Sequence, residues 1–193
     1  MQYFLIIWNG HSFCSIQYFV DILPCYFAVF YGNNSIRIDA SDVAFGASGR
    51  NGGQVNPMLP FNTPEKLFQM LGADHFERLT ETSLNSADEL FELIKTYQID
   101  CQARQKGWLR VLHNGRALRN AQAGVTQWNK HGAGMEIVDR EAVERLSGTR
   151  AYSAGIVTPK GGAVQPLSLA LGLADAAKSR GVTIHGQSAV TGL

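Results

Sequence analysis

The stretch Gly46-Ala47-Ser48-Gly49-Arg50-Asn51-Gly52-Gly53-Gln54 carries the first legible chemistry in this chain. Its closely spaced glycines let the backbone turn tightly and bring main-chain N–H groups close to a ligand. Successive N–H groups aimed one way form an anion-binding nest. Ser48 and Asn51 add neutral donors, and Arg50 adds a positive charge suited to a diphosphate. Upstream, Asp39 closes a predicted short strand, Ser35–Asp39, where a carboxylate can accept hydrogen bonds from both hydroxyls of a ribose. On residue types alone the same loop also reads as a surface turn. It is not a Walker loop, because no Gly-Lys-Ser/Thr follows.

Other chemistries find little support. Cys14, Cys25 and Cys101 are odd in number and widely spaced, so neither a disulfide framework nor a metal site is expected, and a reducing, cytoplasmic setting fits. His11, His75, His113, His131 and His185 are scattered without an HExxH pattern. Ser48 lies in no nucleophile elbow. Asp88, Glu89 and Glu92 read as a solvated helix face, and Trp108 and Trp128 as packing residues. A net charge of +1 gives no electrostatic case for nucleic acid or an acidic membrane surface.

The elements that must hold the loop follow from periodicity. With 45% hydrophobic and 17% charged residues over 193 positions, the chain can bury a core. Residues 1–34 stand apart: aromatic side chains crowd them and Asp21 is the only charge. Their apolar runs are broken well short of the about 20 residues a membrane span needs, and no convincing signal peptide is present. Short strands at Tyr3–Trp8 and Phe27–Tyr31 are the preferred expectation. Phe45–Pro57 reads as loop. Thr63-Pro64-Glu65 starts a helix with a hydroxyl cap and proline at its first position. A second helix follows, with Phe76, Leu79, Ser83, Leu84, Ala87, Leu90, Phe91, Ile94 and Tyr97 on one face. Further on, strands are expected at Trp108–Leu112, Gly155–Thr158, Val182–His185 and Ser188–Thr191. Helices are expected over 115–130, over 140–146 capped by Asp139, and over 166–180 closed by Gly181. The order predicts an α/β domain, residues 35–60 with 155–193, and a helical and β insertion, residues 61–154.

The string GASGRNGGQV resembles the second cofactor-contacting segment of the D-amino-acid-oxidase-like, FAD-dependent oxidoreductases, in the branch of gamma-glutamylputrescine oxidoreductase and related amine or amino-acid oxidases. There too a strand ends in an acidic residue and alanine, here Ile38-Asp39-Ala40, and a short connector leads into the loop. GWLRVL at 107–112 and the stretch from Gly155 to Leu193 are similar to later parts of the same family. The resemblance implies a partial Rossmann-like FAD-binding domain with part of a substrate domain. Asp39, with Ala40 beside it, would hold the adenosine ribose. Ser48, Gly49, Arg50, Asn51, Gly52 and Gly53 would surround the diphosphate and ribityl chain. Gln54 would lead towards the flavin ring, unless it is simply a solvated residue ending the loop. Val190 would contact the adenine side through its backbone, where an isolated view would see only strand core. The implied reaction oxidises the C–N bond of a small amine or amino acid, and the oligomeric state is left open.

The chain also departs from that family. Its relatives begin with a strand, a GxGxxG turn and a helix whose N-terminus carries the diphosphate. Within residues 1–38 Gly10 and Gly32 stand alone, as though the first βα unit were replaced by unrelated sequence. Weak or absent FAD binding is therefore expected. The resemblance further implies that the rest of the substrate domain lies outside this chain, so no catalytic residue is named. The alternative is a non-catalytic remnant that acts at most as an interaction module, its apolar N-terminal segment favouring self-association.

Overall fold

The computed structural model describes residues 5–7, 36–57 and 63–191, and Phe27–Tyr31 lies outside them. Two compact units are each stitched from separate pieces of chain. One comprises Met1–Gly53, Leu93–Ala103 and Val164–Leu193, and the other Gln54–Glu92 and Arg104–Ala163.

The first unit holds a three-stranded parallel sheet: β1 (Leu5–Ile7), β2 (Ile36–Ile38) and β8 (Thr183–His185), in the order β1-β2-β8. Leu5 faces Ile36, and Ile36 in turn faces Thr183. Helix α5 (Pro166–Ser179) belongs to the same unit. Pro166 is pre-set for a first helical turn, and the Gln165 side chain caps it by accepting the Ser168 N–H at 2.6 Å. Its buried positions, Leu169, Ala170, Leu173, Ala174, Ala176 and Ala177, recur at helical spacing. Gly172 lies so close to Ile99 that a Cβ there would run into the isoleucine side chain.

The second unit is built on an antiparallel sheet of order β4-β6-β5, with β4 at Trp108–Leu112, β5 at Glu136–Asp139 and β6 at Ala154–Thr158. Trp108 pairs with Thr158, and Ile137 with Ile156. Gly155–Thr158 therefore joins the sheet of Trp108–Leu112 in the second unit, instead of the α/β domain expected over residues 35–60 and 155–193. Four helices accompany it: α1 (Pro64–Leu71), the first part of α2 (Ala73–Thr96), α3 (Gly115–Asn129) and α4 (Arg140–Ser147). The caps of α1 and α4 are those the sequence predicts, whereas α3 is capped by Asn114, whose Oδ1 accepts the Ala117 N–H. Thr63 Oγ1 accepts the Lys66 N–H, and Asp139 Oδ1 accepts the Ala142 N–H at 2.8 Å. Gly155 has no side chain where α4 packs: a Cβ would meet Val143 at 2.9 Å and Leu109 at 2.8 Å. The core gathers Leu67, Phe76, Leu84, Leu112, Trp128 and Ile156. Burying an isoleucine such as Ile156 stabilises the fold by about 1.5–3 kcal/mol. Leu79, assigned to the buried face of α2 by periodicity, is instead 36% exposed. A two-stranded ribbon, β3 (Gln54–Val55) with β7 (Gly162–Ala163), completes this unit.

Among the described residues no helix is long and apolar enough to cross a membrane, and no group of His, Cys, Asp and Glu is arranged to hold a metal ion.

Candidate functional site

Open parallel sheets bind ligands beyond the carboxyl ends of their strands. The order β1-β2-β8 matches the strand order of one half of a doubly wound sheet, an arrangement that in other proteins binds nucleotides. Asp39 is the first residue past β2. Its N–H donates to His185 O at 2.9 Å and its carbonyl accepts the Ser188 N–H at 2.8 Å, so β8 and the turn after it fix its backbone. Its carboxylate accepts from the Arg37 guanidinium through Oδ2 and from the Ser41 N–H through Oδ1, both at 3.2 Å. Ala40 beside it is exposed.

The glycine loop is not plain coil. Residues 47–49 form a 3-10 turn, and the Arg50 N–H closes it on Ala47 O at 3.1 Å. Ser48 is buried, and the turn packs against α5. Asn51, expected to offer donors to a ligand, directs them inwards. Its Nδ2 donates to Ala47 O at 3.0 Å and to Ser48 O at 2.9 Å, and its Oδ1 accepts the Gly53 N–H at 2.7 Å. Asn51 follows the turn by two residues, which brings its amide within reach of the Ala47 and Ser48 carbonyls, and Ala47 O accepts it in addition to the Arg50 N–H. Arg50 is exposed, with its guanidinium over the Phe45 ring at 4.4 Å.

The glycines divide by what forces them. At Gly49 a Cβ would run into Ala44 O and meet Leu167 Cδ1 at 3.1 Å. At Gly53 φ is +63°, and a Cβ would run into Val164 O. Gly52 is different: it is exposed, its φ is ordinary, and a Cβ would meet nothing within 4 Å. Among the described residues nothing requires a glycine there, whereas the close approach of a ligand would.

The remaining predicted positions are not all gathered here. Gln54 falls in the second unit, where its Oε1 accepts from Trp108 Nε1 at 3.3 Å, so Trp108 also serves as a donor. Val190 is half-buried, and Ser188–Thr191 forms no strand. Gln187 adopts φ +51°, the Ser188 N–H goes to Asp39 O, and its hydroxyl goes to Gly186 O, so the chain turns instead of extending. Arg37 is the residue that motif reasoning misses. Its signal is a lone cation inside an otherwise apolar strand.

Comparison with known proteins fits this geometry. The profile of the FAD dependent oxidoreductase (DAO) family matches residues 28–193. Gamma-glutamylputrescine oxidoreductase of Escherichia coli (strain K12) is 33% identical over 163 residues, which are 83% of this chain and 37% of that protein. Among solved structures, L-amino acid deaminase from Proteus myxofaciens aligns with a TM-score of 0.70 at 20% identity, over 89% of this chain and 37% of that one. Glycine oxidase from Geobacillus kaustophilus aligns with a TM-score of 0.66 at 16% identity, over 88% of this chain and 44% of that one. The chain thus spans well under half the length of these relatives.

Proposed function

The chain belongs to the FAD dependent oxidoreductase family, and from that premise we propose that its parallel-sheet unit holds the adenosine and diphosphate portion of FAD, in a protein that oxidises the C–N bond of a small amine or amino acid. The observation that carries this assignment is Gly52, exposed and unforced beside Gly49 and Gly53, which the fold does dictate.

The residues present fit such a group. Asp39 would accept the adenosine ribose hydroxyls at the end of β2. The Arg50 and Gly53 N–H groups are engaged within the loop, and the other backbone amides of the Ser48–Gly53 segment would face the diphosphate, with Arg50 adding charge from the exposed side. Asn51 would keep the loop in shape, because its amide is engaged with Ala47, Ser48 and Gly53. Ala40 would border the ribose, Val190 would lie towards the adenine, and Gln54 would lead on towards the flavin ring. When bound, the cofactor supplies a two-electron acceptor, and the protein supplies its placement and electrostatics. Substrate loses a hydride and a proton across its C–N bond, and water hydrolyses the resulting imine to a carbonyl compound and an amine. A cytoplasmic setting completes the proposal, supported by the free, buried thiol of Cys101.

Without a GxGxxG turn in residues 1–38, affinity is expected to be weak, so the test is a titration and not the colour of the purified protein. Flavin fluorescence on adding FAD to the chain should report saturable binding, displaced by ADP. Substituting Asp39→Ala should weaken it roughly tenfold or more. A folded chain that binds neither FAD nor ADP would refute the proposal.

A further inference from the structure

Arg37 occupies the middle strand of a parallel sheet, flanked by Ile6 on one side and Ile184 on the other. Such positions ordinarily carry Val, Ile or Leu, and a guanidinium is costly there unless it is paired. Only 15% of its side chain is exposed, and 20% of that of Asp39. Along a strand, residues two apart share a face, so Arg37 and Asp39 meet by geometry as well as by charge.

Resting on the assignment of Asp39 as the ribose acceptor, we propose that Arg37 is a positioning residue that locks the Asp39 carboxylate for the adenosine diol. A carboxylate offers about four lone-pair sites. Arg37 takes one on Oδ2 and the Ser41 N–H takes one on Oδ1. That leaves one site on each oxygen, a pair matched to two adjacent hydroxyls. Arg37 also cancels a negative charge that would otherwise stand near the expected diphosphate. A planar guanidinium, unlike a flexible ammonium, fixes the carboxylate direction.

The test compares ADP with 2′-deoxy-ADP by calorimetric titration of the full chain, because deleting one hydroxyl isolates the diol contact. Wild type should prefer ADP roughly tenfold, and Asp39→Ala should abolish the preference. Arg37→Gln should bring the ratio of the two affinities close to one. A merely structural role for Arg37 would weaken both nucleotides equally and keep the ratio, which overturns the proposal. A wild-type chain that binds both alike removes the ribose role of Asp39, and the proposal falls with it. If wild type and Asp39→Ala behave as stated while Arg37→Gln keeps the ratio, the role of Arg37 alone is refuted. Should Arg37→Gln not fold, Arg37→Lys carries the same test: the charge stays but the planar fork is lost. There the ratio should fall severalfold, and an unchanged ratio overturns the proposal.

Discussion

The carbonyl oxygen of Gly53 accepts the Val164 N–H at 2.9 Å, tying the end of the glycine loop to the segment that enters α5. The contact needs φ +63° at Gly53 and space that a Cβ would fill. Gly53→Ala is therefore expected to destabilise the chain by about 1–3 kcal/mol. Urea denaturation of the two proteins side by side checks this, and equal midpoints would contradict it.

Gly52 predicts the opposite pattern. A Cβ at Gly52 meets only open space, so the stability of Gly52→Val from urea denaturation should stay within about 0.5 kcal/mol of wild type. Its affinity for FAD or ADP should nevertheless fall at least about tenfold, because a branched side chain blocks a close backbone approach. Loss of stability without loss of binding would show that packing, and not a ligand, holds this glycine.

In the second unit, Lys160 Nζ lies 2.7 Å from Asp88 Oδ2, and Gln105 Nε2 donates to Asp88 Oδ1 at 2.7 Å. The Lys160 hydrogen bond, helped by Gln105 and opposed by burial, holds the Asp88 carboxyl below its usual value. A depressed carboxyl pKa stabilises the fold above the unfolded value, near pH 4, and that contribution fades as pH falls through the folded value. Both side chains are partly solvated, so the pair contributes about 0.5–1 kcal/mol. Lys160→Met should be less stable than wild type by that amount at pH 7, and the gap should be smaller at pH 3. Paired melts at the two pH values decide, and a gap of constant size would rule out the ion pair as its source.

Cys101 is fully buried, and that burial pushes its thiol pKa up. A raised thiol pKa leaves stability intact below the unfolded value, near pH 8.5, and lets it fall as pH climbs towards the folded value. In a chain carrying Cys14→Ser and Cys25→Ser, the stability difference between Cys101 and Cys101→Ala should narrow from about pH 8 to about pH 10. Thiol labelling of that chain should proceed only through opening of the fold.

Local physics made much of this fold legible. Thr63-Pro64, Asp139 and Pro166 marked their helix starts because a cap or a fixed φ acts within one turn. Trp108–Leu112 was readable as a strand from its own side chains. What stayed hidden depends on distant partners. Gly155–Thr158 reads as a strand, but its sheet is decided by Trp108 and Ile137. Ser188–Thr191 has strand-like composition, yet its first amide is drawn to Asp39 O. In the candidate site, Asp39 and the glycines carried their own signal. The inward turn of Asn51 did not, because its acceptors at Ala47 and Ser48 come within reach only once the 3-10 turn has formed. Arg37 stood out as a lone cation in an apolar strand, but nothing in its neighbours' identities says that it meets Asp39.

β2 takes β8 as its neighbour across most of the chain's length. During synthesis at about 5–20 residues per second, β2 leaves the ribosome roughly 7–30 s before β8 exists to cover it. Throughout that interval one side of Ile36–Ile38 offers bare amides and carbonyls to any passing strand. Yield of the intact chain should thus depend on translation speed and on holding chaperones more than on the equilibrium stability of the finished sheet.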